Sequence, residues 1–330
     1  MKRIAIVGAD IAGLTLAREL GNSADITLFE KYHRAGGRMS HRTLGDFSFD
    51  HGAQYFTARS KPFQDFLDPF IRSGLVAEWQ PRVFTLAPGE KPYKRDWFEP
   101  HYVAVPHMHS LCEAVSHKLD VKLQTTINSI SRSGDCWRLT GDSGVLSGDY
   151  DWVIATVPVN QTLGLFREHL TEAALSGENG LERVAMSPCY ALMLGFAESL
   201  ELPFDAAKVK HLGIEWIMVN SSKPGRPPGS TLMIHSSNQW AQAHLDAPDD
   251  WVINRMRMEL TRVLEQQLPE PQVLELKRWI YARVEKALEP DYLLDIDNQL
   301  AACGDWCLYD RVEGAYLSAL SLARRLAEII

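Results

Sequence analysis

Gly8, Asp10, Gly13 and Glu30 are the residues whose types and spacing bear most directly on chemistry. They occupy a GADIAG turn and the end of the apolar run that follows it. Gly8 permits a sharp exit from a strand, and Gly13 lets a helix pack closely on that strand. Ile11 and Ala12 open the helix, whose free N–H groups suit a pyrophosphate. Glu30, followed by Lys31, is placed to accept hydrogen bonds from ribose hydroxyls. The chemistry is the holding of a dinucleotide, and the alternative is an ordinary βαβ unit of some other α/β protein. Asp10 breaks the pattern, because the middle glycine of G-x-G-x-x-G belongs there. Its carboxylate at ~5 Å from one phosphate charge, at an effective dielectric of 20, is repelled by roughly 3 kcal/mol. Weakened rather than abolished binding is expected, by on the order of a hundredfold.

The elements that must position these residues are legible on either side. Ile4, Ile6 and Val7 read as a strand, Leu14, Leu16, Ala17 and Leu20 as one face of a helix, and Ile26 to Phe29 as a second strand. From Pro106 a helical pattern runs through Met108, Leu111, Val115 and Leu119, and residues 121–144 read as short strands with glycine turns. Asp151 to Pro158 reads as a buried strand. SPCYALMLGFA, STLMIHSSNQWA and Leu274 to Ala282 read as sheet strands, with NSSKPGRPPG as a loop and Asp249 to Leu268 as an amphipathic helix.

Composition narrows the class. The 330 residues, 45% hydrophobic and 23% charged, suit a soluble globular protein of two joined domains. A net charge of −8 argues against nucleic acid or an anionic membrane as partner. No apolar run approaches the ~18 residues of a spanning helix, and the opening apolar stretch is a strand and turn rather than a signal peptide. The five cysteines read as free thiols of a cytoplasmic protein. Cys303 and Cys307 lack companion ligands, so no metal is expected.

Three further motifs complete the set. GGRMSHR carries Gly37, Arg38 and Met39, and DHGAQYF carries Gln54 and Tyr55; CGDWCLYDRVEGAYLSAL carries Gly304, Asp305, Val312, Glu313, Gly314 and Ala315. Together with the N-terminal unit they resemble the flavin-dependent amine-oxidase superfamily, and within it the bacterial renalase-like proteins. The resemblance implies an α/β fold with a Rossmann-type FAD-binding domain, in a two-domain arrangement of the glutathione-reductase/p-hydroxybenzoate-hydroxylase kind. Residues 1–60, 106–160 and 291–330 would form the FAD-binding domain. Residues 61–105 and 161–290 would form a substrate domain with a discontinuous antiparallel sheet.

The same resemblance implies non-covalent FAD, with Ile127 on its adenine side, Arg38 at the pyrophosphate, and Gln54 and Tyr55 beside the ring. Gly304 and Asp305 would meet the ribityl and phosphate part, and the helix opening at Val312 to Ala315 would face the flavin pyrimidine. His235, Trp240, Trp279 and Tyr281 are the substrate-pocket candidates, each with core packing as its alternative. No committed acid–base pair is identified. The implied reaction is oxidation of 2- or 6-dihydro isomers of NAD(P), hydride passing to flavin N5 and dioxygen leaving as hydrogen peroxide. The alternatives are an oxidase of a small amine, and a non-catalytic member whose FAD binding is impaired by Asp10.

Overall fold

Ile4 and Ile6 point to one side of the first strand, Lys2–Val7, and Ala5 and Val7 to the other, as the two-residue period of a strand requires. In the computed structural model, which describes residues 1–96, 98–210 and 213–330, both sides are buried. Ile4 and Ile6 pack with Leu14, Leu16 and Ala17 of the helix Ile11–Leu20 and with Ala319 and Leu322 of the final helix, Val312–Ala327. Ala5 and Val7 pack with Trp137, Phe166 and Trp306. A strand covered on both faces is the setting in which parallel pairing is found.

That strand pairs in parallel with Ala24–Phe29 on one side and Trp152–Ala155 on the other, with Ile6 opposite Leu28 and Ile154. Val121–Lys122 extends the sheet beyond Ala24–Phe29, and Leu300–Ala302 and then Leu293–Asp295 extend it beyond Trp152–Ala155. The strand ends thus bring Gly8, Glu30, Thr156 and Gly304 to one edge, although they lie far apart in sequence.

Among the described residues a second sheet runs in the order Val273–Lys286, Ala185–Phe196, Ser230–Ser236, Ile214–Val219, Ala206–Val209, Val83–Leu86, Tyr93–Arg95. Its pairings are antiparallel except one: Ala206–Val209 lies parallel to Val83–Leu86, which corrects the expectation of a purely antiparallel sheet. Val273–Lys286 is longer than its sequence pattern suggests and reaches back over the first sheet's edge, where Trp279 Nε1 donates to the His51 carbonyl at 2.8 Å.

Three element boundaries differ from the sequence reading. The helix expected from Pro106 is confined to Ser110–Ser116. The helix from Asp249 ends at Leu264, where Glu265 takes a left-handed φ of 51°. The NQWA end of STLMIHSSNQWA is not strand: the Ser237 side chain accepts from the Trp240 N–H and caps a helix over Asn238–Ala243.

Candidate functional site

Two cavities meet along the line between the sheets. One, of about 480 Å³, is walled by Gly8, Glu30, Lys31, Ile127, Thr156 and Tyr281. The other, of about 400 Å³, is walled by Tyr55, His101, Trp216, His235, Asp305 and Val312. Asp10, Arg38 and Trp279 border both, so the two adjoin at these three side chains and form one cleft.

Glycine makes the first cavity possible. Gly8 has a left-handed φ of 112°, and a Cβ on Gly13 would stand 2.1 Å from the Gly8 carbonyl oxygen. The helix therefore starts directly against the strand. Asp10 fills the space left at its N-terminus, with Oδ1 accepting from the N–H groups of Ala12 and Gly13, each at 3.1 Å. The residue that breaks the glycine pattern is thus the helix's own cap. Burial, opposed by the Gly13 N–H and by Arg38, pushes its carboxyl up to about 6.

Glu30 is buried, with Oε2 accepting from Ala9 N–H and Oε1 from Tyr32 N–H, both at 3.0 Å. Each oxygen retains acceptor capacity toward the cavity. Arg38 Nη2 bonds Asp305 Oδ1 at 2.5 Å, and Nη1 donates to the Ala282 carbonyl at 3.2 Å. Burial pulls the guanidinium down, but Asp305 and Asp10 outweigh it and hold Arg38 above its ordinary value. Burial and the neighbouring Asp305 charge push Asp310, on the same wall, up to about 6.

The second cavity, of about 400 Å³, is aromatic and its histidines are neutral. Tyr55 meets His101 edge-on at 4.4 Å between ring centres. Burial pushes His101 down to about 4, and burial followed by the Lys223 charge does the same to His235. Glu99, at the mouth, is held by Arg59 through Nε at 2.6 Å and Nη2 at 2.5 Å.

Most of the residues expected from sequence lie along this cleft. Gly8, Asp10, Glu30, Lys31, Gly37, Arg38 and Ile127 line its first cavity, and Ile11, Met39, Gln54, Tyr55, Asp305, Val312 and Ala315 its second. Ala12 and Gly13 contribute N–H groups to Asp10 rather than wall. Gly304 is buried, with its N–H on Ser318 Oγ at 3.0 Å. Glu313 is turned away, accepting from the backbone N–H groups of Arg59 and Ser60, and so ties the final helix to the 59–60 loop. Gly314 packs under Tyr309, where a Cβ would stand 2.3 Å from the Tyr309 carbonyl oxygen.

His235 and Trp279 reach the second cavity, whereas Tyr281 lines the first. Trp240 lines neither. Carried by the short helix rather than the strand, it stacks on Trp251 at 6.0 Å and meets His244 at a tilt at 4.6 Å. His101, Trp216, Lys223 and Arg226 were not legible as site residues. Lys223 and Arg226 come from a Pro- and Gly-rich loop, a composition that signals solvated charge, yet both are buried on Asp50.

The cleft fits a dinucleotide of the FAD kind. It is glycine-floored beside the buried Glu30 carboxylate, it opens into an aromatic chamber, and Arg38 stands where the two cavities adjoin. The Asp10 carboxylate opposes a diphosphate there.

Residues 105–327 match the family model described as flavin containing amine oxidoreductase, and residues 6–70 match the NAD(P)-binding Rossmann-like domain. A 4,4'-diapophytoene desaturase (4,4'-diaponeurosporene-forming) of Staphylococcus aureus strain Newman is 31% identical over 77 residues, 20% of this chain. That match spans 15% of the relative's length. Among solved structures, a protein provisionally called protoporphyrinogen oxidase, from Exiguobacterium sp. 255-15, superposes with a TM-score of 0.78 over 99% of both chains at 14% identity. Wild-type putrescine oxidase bound to putrescine superposes with a TM-score of 0.71 over 98% of both chains at 12% identity. Both likenesses concern the fold. No helix among the described residues is long and apolar enough to cross a membrane. With its family model covering more than half of the sequence, the chain belongs to the flavin containing amine oxidoreductases.

Proposed function

We propose that the protein oxidises a dihydronicotinamide-type substrate, the 2- or 6-dihydro isomers of NAD(P), as the renalase-like members it resembles would. The substrate gives up a hydride and becomes an aromatic pyridinium. Dioxygen takes the two electrons and, with a further proton, leaves as hydrogen peroxide. Bound FAD supplies the two-electron acceptor between them. Glu30 would hold the adenosine ribose, Ile127 the adenine side, Arg38 the diphosphate and Asp305 the ribityl chain. The N–H groups at the start of the final helix would meet the pyrimidine edge and favour negative charge there.

One observation carries this reading: the second cavity is walled by aromatic rings, and its two histidines, His101 and His235, are both held neutral. Such a chamber orients a flat ring and offers no strong base. A product that gains aromaticity needs none. The domain bounds fit the same reading, because the first sheet draws its strands from residues 1–60, 106–160 and 291–330 and the second from 61–105 and 161–290.

Oxidation of a small amine is the second reading, favoured by the Asp310 carboxyl on the cavity wall, which suits a cation. Anaerobic mixing of the FAD-loaded protein with dihydronicotinamide isomers and with amines separates the two. Rapid loss of flavin absorbance with the 2- or 6-dihydro isomers, and not with amines, is expected. Bleaching by amines alone overturns the proposal.

A further inference from the structure

Behind the wall of the second cavity lies a buried charged cluster that the proposed chemistry does not use. Asp50 accepts from Arg226 Nη2 at 2.7 Å, from Lys223 Nζ at 3.2 Å and from the Met108 N–H at 3.1 Å. Lys223 Nζ also donates to Gln54 Oε1 at 2.9 Å and to Asn220 Oδ1 at 3.0 Å. Asn220 is itself oriented, because its Nδ2 donates to the Ser48 carbonyl at 2.8 Å. The three protons of the ammonium thus have three acceptors.

This removes an ambiguity at Gln54. An ammonium only donates, so the carboxamide oxygen must face Lys223 and the NH₂ group must face the other way. There its two protons go to the Asp50 and Gly52 carbonyls, the latter at 3.0 Å, and the NH₂ group, which accepts nothing, stands 3.4 Å from His235 Nε2. A proton on Nε2 would point at the amide hydrogens. A lone pair on Nε2 faces them favourably, and the ring proton then belongs on Nδ1.

We propose that Gln54 is a positioning residue that locks His235 in the Nδ1–H tautomer, so that His235 serves the substrate as a fixed hydrogen-bond donor and not as a base. The identity of the acceptor rests on the reading of this cavity as the substrate site. For a dihydronicotinamide it is the carboxamide oxygen. Asp50, Lys223 and Arg226 then act at one remove, by fixing the amide that fixes the imidazole.

The test is made on the FAD-loaded, ¹⁵N-histidine-labelled protein without substrate, so its result does not depend on which molecule is oxidised. His235 is assigned by the NMR signal lost in His235→Asn, and its proton is expected on Nδ1 at pH 6.5 to 7, where Lys223, lowered to about 8 by burial, still carries its proton. Gln54→Glu presents an acceptor to Nε2 and should reverse the tautomer. Gln54→Leu adds no charge and serves if that variant does not fold; it should move the tautomer ratio toward Nε2–H by roughly twofold or more, because the donor-only amide edge that disfavours a proton on Nε2 is gone. A proton on Nε2 in the unsubstituted protein, or a tautomer ratio unmoved by Gln54→Leu, overturns the proposal.

Discussion

Asp10 stands where a diphosphate would lie, and it already takes the N–H groups of Ala12 and Gly13. A phosphate must share this helix end with a carboxylate, and the repulsion of roughly 3 kcal/mol at an effective dielectric of 20 is only partly offset by Arg38. Asp10→Asn keeps a capping acceptor and removes the charge, so it should tighten FAD binding by about tenfold to a hundredfold in a fluorescence titration at pH 8. The sign of the pH dependence follows from the raised carboxyl. Asp10 neutralises as pH falls through about 6, so the unsubstituted protein should bind FAD more tightly at pH 5.5 than at pH 8. Asp10→Asn should show no such tightening. Equal affinities of the two proteins at both pH values would remove the electrostatic role given to Asp10.

At the scale of elements, the join between the first strand and helix depends on Gly13, whose added Cβ would meet the Gly8 carbonyl oxygen at 2.1 Å and Thr156 Oγ1 at 2.9 Å. The nearest atom is backbone and cannot rotate aside. Gly13→Ala should therefore destabilise by about 1–3 kcal/mol, read as a lower urea midpoint with little change in slope. Elements of this kind were readable in the sequence because their signals are local: apolar period, glycine position and an acid at a strand tip. Trp240 shows where local signals mislead. The run before it alternates as a strand does, but Ser237 caps a helix and carries the ring into a cluster with Tyr190, His244 and Trp251. Lys223 and Arg226 show the converse, because a loop composition hides two buried charges whose partner, Asp50, lies more than a hundred and seventy residues away in sequence. Only the folded chain brings those groups together. Glu313 is similar, since it was read as lying near the flavin and instead fastens Arg59 and Ser60. Glu313→Ala should cost about 1.5–3 kcal/mol, the range for hydrogen bonds to a charged group, in the same urea experiment.

For the molecule as a whole, burial keeps an unusual set of histidines neutral. His51 and His109 are pushed down to about 3, and His101, His107 and His235 to about 4, each mainly by desolvation. In the unfolded chain these groups titrate near 6.5. Between about pH 6.5 and 4 the unfolded chain therefore binds protons that the native one refuses, and stability falls as pH falls through that window. Asp10 and Asp310, raised to about 6, act in the opposite sense between about 6 and 4, but they are two groups against five. The urea midpoint should drop clearly between pH 7.5 and 5, and a flat or rising midpoint would contradict this balance. The same fold that strips water from these imidazoles also builds the cleft, and the claim on which the account turns is that one dinucleotide spans both of its cavities. Titrating cofactor-free protein with FAD, FMN and riboflavin under identical conditions tests this most directly. The account predicts 1:1 binding of FAD at least about a hundredfold tighter than of FMN or riboflavin, because only FAD reaches Glu30 and Ile127 in the first cavity while its ring fills the second. Equal affinities for the three would mean that the first cavity holds no part of the cofactor, and would contradict it.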